Sequence, residues 1–149
     1  MKKSSVSTLH IFEIMTPEPF SVTMSESIRS IIKTFIAKKI SGAPVVEKGS
    51  LKVISVVSES DLMRFAALGE LDQPLSDFLG KLVPANQLVT VQANDPFSEV
   101  FKRFLTKPVR RVLVVDKKMN LVGIVSRRDM IAAFLKSEEK KEAELKTET

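Results

Sequence analysis

Val53-Ile54-Ser55-Val56-Val57-Ser58-Glu59-Ser60-Asp61-Leu62 and Leu121-Val122-Gly123-Ile124-Val125-Ser126-Arg127-Arg128-Asp129-Met130 are two copies of one pattern, 68 positions apart. In each, an apolar run ends on Ser-x-x-Asp and a hydrophobic residue. Working outward, Pro44-Val45-Val46-Glu47 matches Leu113-Val114-Val115-Asp116 at an offset of 69. The one-residue change falls at Lys48-Gly49-Ser50 against Lys117-Lys118, where a hairpin turn absorbs it. Further upstream, Ile28, Ile31, Ile32, Phe35 and Ile36 follow the spacing of an amphipathic helix. Phe97, Val100, Phe101, Phe104 and Leu105 repeat it 69 positions later. Ser25 and Asn94 stand where N-caps belong, and Pro96 falls in a first turn, where a missing N–H is harmless. A self-similarity of this length marks a repeat.

Each copy reads as a short strand, a helix, a two-stranded hairpin and a second helix. The first strands are expected around 20–23 and 88–92, and the hairpins at 43–47 with 52–57 and at 112–116 with 121–125. The hairpin strands are nearly continuous Val, Ile and Leu, which predicts burial on both faces. Neither half can bury such strands and its helix stripe alone, so the halves are expected to pack together. Residues 69–74 read as a loop and 75–79 as a short helical turn. The charged segment 137–149 lacks an apolar stripe and predicts fraying or disorder, and 1–7 is expected to be loose.

With 149 residues, 44% hydrophobic and 28% charged, the composition is that of a soluble globular chain. No apolar run approaches the roughly 20 residues of a bilayer-spanning helix. The first residues lack the apolar stretch of a signal peptide, and there is no cysteine for a disulfide or thiolate ligand. The cytoplasm is the default expectation. The net charge of +5 is unevenly placed: between Phe101 and Met130 there are nine basic and two acidic residues. Such a surface attracts anions, although any single lysine more often just solvates a face.

Ser58 and Ser126 read first as N-caps, with Asp61 and Asp129 completing a short-armed capping box and suiting the helix dipole. The same geometry suits a ligand. A helix N-terminus offers N–H groups to phosphate, the serine adds a hydroxyl, and the aspartate can accept both hydroxyls of a ribose. Arg127 and Arg128 would add phosphate-binding charge in the second copy. Gly42, Ala43 and Pro44 open the first hairpin strand: glycine admits close backbone approach and proline holds the chain extended, or Gly42 is simply a helix C-cap. In the second copy Arg110-Arg111-Val112 stands where Ser41-Gly42-Ala43 stands in the first, so two sites, if formed, differ. His10 is the only histidine, which leaves no material for a Ser/His/Asp triad or a histidine metal site. There is no Gly-rich phosphate loop.

Each copy resembles a CBS domain, and the pair resembles a Bateman module, over Ile11 to Leu135. The resemblance rests on Ile14-Met15-Thr16-Pro17, Ile40-Ser41-Gly42-Ala43-Pro44-Val45-Val46 and the two runs ending in Ser-x-x-Asp. It implies an α+β fold of tandem β-α-β-β-α repeats, at 8–68 and 75–136, packed pseudo-symmetrically through their small sheets. It implies a regulatory sensor rather than an enzyme, binding AMP, ADP, ATP or S-adenosylmethionine in clefts between the repeats, with no obligatory cofactor or metal. Asp61 and Asp129 would hold ribose, Ser58 and Ser126 phosphate, and Gly42, Ala43 and Pro44 would frame the base through their backbone. Thr16 would line the pocket, and Val83-Pro84 is its weaker counterpart. Arg110, Arg111, Val112, Arg127 and Arg128 complete the candidate set. The resemblance also implies a homodimer through Leu62, Phe65, Ala66, Met130, Ile131, Phe134 and Leu135, although these could equally be core. An unknown effector protein would read the signal. The alternatives are a dimerisation module with vestigial pockets, or a basic nucleic-acid binder, which the absence of Trp and Tyr disfavours.

Overall fold

A computed structural model describes residues 8–147; the expected looseness of 1–7 lies outside the described residues. The first lead-in carries a 3-10 turn over Ile11–Glu13 and a short strand β1 (Thr16–Pro17). The first repeat then forms β2 (Val22–Thr23), α1 (Ile28–Lys38), β3 (Gly42–Val46), β4 (Val53–Ser58) and α2 (Glu59–Ala67). A second lead-in has 3-10 turns over Leu75–Lys81 and Ala85–Gln87. The second repeat forms β5 (Thr90–Val91), α3 (Phe97–Thr106), β6 (Arg111–Val115), β7 (Leu121–Ser126) and α4 (Arg127–Thr147). The mixed α+β class and the duplicated element order are those read from the sequence.

The chain divides into two compact units, and they do not follow the repeats. One holds residues 8–19, 89–117 and 122–147; the other holds 20–88 and 118–121. Each repeat is completed by the lead-in of the other. In the first unit, Ile11 and Phe12 N–H donate to the carbonyls of Asp95 and Ala93 at 3.0 and 2.9 Å, and Phe97 N–H donates to Leu9 O at 2.9 Å. In the second, Leu75 and Ser76 N–H donate to Glu26 and Met24 O at 2.8 and 2.9 Å, and Ile28 N–H donates to Gln73 O at 3.0 Å. The acceptors Asp95 and Ala93 are Glu26 and Met24 moved by 69 positions, so the same docking is made twice. These bonds satisfy N–H groups at helix starts that no intrahelical partner can reach. The cores carry the same exchange. Leu75, Phe78 and Leu82 join the core of Ile28, Ile31, Phe35, Val45, Val57 and Phe65. Ile11 joins that of Phe97, Val100, Val112, Val114, Val125 and Met130.

The three-stranded sheet has the order β2-β3-β4, and the four-stranded sheet β1-β7-β6-β5. β3 runs parallel to β2 and antiparallel to β4. Because β2 reaches only Val45 and Val46, Pro44 sits on a stretch of β3 with no strand on that side, where a missing N–H costs least. Only β3 and β6 have four consecutive buried residues, whereas β4 and β7 alternate between buried and half-buried. The expectation of burial on both faces therefore holds for one strand of each hairpin. The other strand has one face on a core and one partly open.

Several local expectations change. The cap of α1 is Ser27, not Ser25: its side chain accepts from Ser30 N–H at 3.1 Å. α3 starts two residues later than expected, with Pro96 rather than Asn94 in the cap position. α1 ends on Lys39 in the left-handed conformation (φ 55°), so Gly42 is a strand residue and no C-cap. Ile36 and its counterpart Leu105 stay exposed at the edge of their helix stripes. Leu62, Phe65 and Met130 are buried core rather than dimer surface; Phe65 stacks on Phe78 with ring centroids 4.3 Å apart. The segment expected to fray is helical through Thr147. Its Glu, Lys, Ala and Leu are strong helix formers, and propensity acts without an apolar stripe. At the start of α1, Arg29 Nε donates to Asp72 Oδ1 at 2.9 Å, and the guanidinium holds that carboxyl below its ordinary value.

Candidate functional site

The two Ser-x-x-Asp junctions fold identically at the backbone. Ser58 ends β4 in extended conformation (φ −112°, ψ 164°) and α2 begins at the next residue. Ser58 N–H donates to Asp61 Oδ2 at 2.8 Å, and Asp61 N–H returns a bond to Ser58 Oγ at 3.1 Å. Ser126 and Asp129 reproduce both bonds at 2.8 and 3.1 Å. The predicted capping boxes are therefore both present, and each fixes its aspartate at the mouth of a helix N-terminus.

A further pair of bonds ties each junction to the strand beside it. Glu59 N–H donates to Ser41 O at 2.9 Å, and Arg127 N–H donates to Arg110 O at 3.0 Å. Ser58 is also the register partner of Gly42. The start of β3 and the start of α2 thus form one locus, with Ser41, Gly42, Ser58 and Asp61 together. The equivalent locus in the other unit brings together Arg110, Arg127, Ser126 and Asp129. Arg128 follows on the exposed first turn of α4, and Arg111 is likewise exposed. For Ala43 and Pro44 the resemblance implies a role through the backbone. Ala43, Pro44 and Val112 have buried side chains, so only their backbones can meet a ligand.

Thr16 is the largest correction to the site. β1 pairs antiparallel with β7, placing Thr16 opposite Ile124 and Pro17 opposite Gly123. Thr16 therefore lies beside β7, in the unit that holds Ser126 and Asp129 and not in the one that holds Gly42 and Ser58. Gly123 is what admits it: a Cβ there would stand 2.4 Å from Met15 Sδ and 3.1 Å from Thr16 O. In the first repeat Ser55 takes the place of Gly123. It is fully buried, and its Oγ donates to Val83 O at 2.6 Å. Val83 thus stands beside β4 as Thr16 stands beside β7.

The aspartates themselves differ. Asp61 Oδ2 also accepts from Ser58 Oγ at 2.9 Å, and Asp61 Oδ1 is ion-paired to Arg64, which reaches Ser60 Oγ at 3.0 Å as well. Ala132 occupies the position of Arg64 in the second copy, and Asp129 Oδ1 has no hydrogen bond among the described residues. Asp129 instead faces a cavity of about 530 Å³ lined by Leu9, Ile14, Ala132, Ala133, Lys136 and Lys140 among others. Sequence reasoning missed Arg64 and this cavity. Comparing the two copies one turn past each aspartate would have exposed the Arg64/Ala132 difference. Among the described residues, no group of His, Asp and Glu could hold a metal ion, and no helix is long and apolar enough to cross a membrane.

The family model for the CBS domain matches twice, at residues 11–68 and 76–136. The chain belongs to the CBS-domain family. Its CBS pair superposes on CBSX2, solved in complex with AMP, with a TM-score of 0.70 at 25% identity, over 85% of this chain and 96% of that one. Among curated proteins it is 29% identical over 126 residues to inosine-5'-monophosphate dehydrogenase of Yersinia pestis. It is 26% identical over 114 residues to the 5'-AMP-activated protein kinase subunit gamma of Dictyostelium discoideum. These alignments cover 85% and 70% of this chain but only 24% and 20% of the two relatives. The match is thus to a CBS pair set within longer proteins.

Proposed function

We propose that this CBS pair is a regulatory sensor without chemistry of its own. It takes an adenosine-containing ligand at its Ser-x-x-Asp junctions and signals to an effector outside these residues. The observation that carries this reading is the duplicated junction, in which a capped helix start and an adjoining strand start are held by the same bonds in both copies. The helix N-terminus and serine supply donors for phosphate, and the aspartate supplies acceptors for a ribose diol. The second junction adds Arg110, Arg127 and Arg128 as anion partners. The AMP complex of CBSX2 supports adenosine as the ligand class. The ligand is regulatory rather than an obligatory cofactor, and cytoplasmic AMP, ADP, ATP and S-adenosylmethionine are the candidates. Binding shifts the population of states that the effector distinguishes.

The test is to strip the protein of small molecules by unfolding and refolding, then titrate the four candidates while following melting temperature. A ligand at a hundred times its dissociation constant adds about 2.7 kcal/mol, so at least one should raise the midpoint. No shift with any of the four would sink the reading.

The same proposal includes a second copy as partner. Ile131, Phe134 and Leu135 are 64, 43 and 57% exposed at i, i+3 and i+4 on α4. Three large apolar side chains on one stripe are costly to leave in water. Ile131→Glu is expected to convert a dimer to a monomer in sedimentation experiments with little change in monomer stability. A wild-type chain that sediments as a monomer at all concentrations would remove the dimer from the proposal.

A further inference from the structure

We infer that Arg64 closes the first Ser-x-x-Asp junction to a ribose diol while the second remains open, so that the two junctions load unequally and the Asp129 site fills first. This rests on the adenosine reading above and adds which aspartate is available and which residue decides it.

A carboxylate has about four lone-pair positions. Asp61 uses three of them: Oδ2 accepts from Ser58 N and Ser58 Oγ, and Oδ1 accepts from Arg64. Asp129 uses one, for Ser126 N–H. A vicinal diol needs two acceptor positions at once, and only Asp129 has them without displacing another donor. The Asp61 side chain is 14% exposed and that of Arg64 59%, so the guanidinium is the solvent-exposed partner of the pair. Arg64 is fixed at a second point by Ser60 Oγ. Both members of this clamp are lost in the second copy, where Arg128 replaces Ser60 and Ala132 replaces Arg64. Asp129 also lines one end of a cavity of about 530 Å³ that passes along α4 by Ala132, Ala133 and Lys136 and does not include Ser126, Arg110 or Arg127.

Arg64 competes with the diol and does not exclude it. Exposed ion pairs contribute little, so the expected handicap is about fivefold in affinity. The experiment is calorimetric titration of the stripped full chain with AMP and with 2′-deoxy-AMP. In Asp129→Ala only the first site is measured. Adding Arg64→Met, which preserves side-chain length and helix propensity, should tighten AMP there about fivefold while leaving 2′-deoxy-AMP nearly unchanged. In Asp61→Ala, Ala132→Arg should weaken AMP at the second site by a similar factor. A merely structural role for Arg64 would move both nucleotides alike. Equal affinities in Asp61→Ala and Asp129→Ala, or no gain from Arg64→Met, overturns the inference and leaves the adenosine reading standing. Absence of AMP binding in every variant overturns the adenosine reading for this nucleotide and the inference with it.

Discussion

Asp129→Ala should lose most of the thermal stabilisation that AMP confers. At a hundred times its dissociation constant, the second site adds about 2.7 kcal/mol to the wild-type chain. For a chain of this size that is about 5–10 °C in melting temperature. The variant retains only the first site, about fivefold weaker, which at the same AMP concentration still adds about 1.8 kcal/mol, so the total gain should fall from about 4.5 to about 1.8 kcal/mol. Removing the carboxylate also takes the acceptor from Ser126 N–H, which costs about 1 kcal/mol without any ligand. The two effects separate in Asp129→Asn, whose amide oxygen can still accept from Ser126 N–H. That variant should recover the ligand-free midpoint yet keep a reduced AMP gain, because one neutral oxygen replaces a charged pair. Scanning calorimetry with and without AMP decides it. An undiminished AMP gain in Asp129→Ala would show that this carboxylate does not hold the ligand.

Phe65→Ala is expected to have the largest effect on stability. Phe65 is fully buried on α2 and stacked on Phe78, which arrives from the other repeat's lead-in. Truncation leaves a cavity lined by residues that cannot collapse into it, at a cost of about 3–5 kcal/mol. This is a large part of the roughly 5–15 kcal/mol that holds such a domain folded. The urea midpoint should fall steeply with little change in slope. Were Phe65 a dimer-surface residue, as the family resemblance alone suggested, the variant would dissociate while each monomer kept its stability. A loss below about 1 kcal/mol together with dissociation would therefore overturn its place in the core.

The two aspartate junctions were legible in the sequence because capping is local. Ser58, Asp61, Ser126 and Asp129 lie within four residues of their partners, and their bonds follow from residue type and spacing. Arg64 was legible in principle, since it lies one turn beyond Asp61. It was missed because an arginine on a helix surface more often solvates a face, and only its geometry shows it on the carboxylate. The place of Thr16 beside β7 was not legible. Its chain neighbours match the opening of the first repeat, and nothing local says that β1 pairs with β7. Helix boundaries failed where two caps competed: Ser25 and Ser27 are equally good residues, and the docking of the second lead-in onto Ile28 and Arg29 selects the later one.

The sequence by itself determined that there are two copies of one α+β unit, where their hairpins and helices lie, and that each carries a capped Ser-x-x-Asp. These follow from period, turn chemistry and short-range hydrogen bonding. Only the tertiary structure decided which lead-in completes which repeat. Both lead-ins are short segments with apolar residues, and nothing in their local pattern names the core that each joins. The choice falls to long-range contacts: Ile11 against Asp95, Leu75 against Glu26, Thr16 over the bare backbone of Gly123, and Ser55 on the carbonyl of Val83. That exchange places Thr16 in the unit of Asp129 and Val83 in the unit of Asp61.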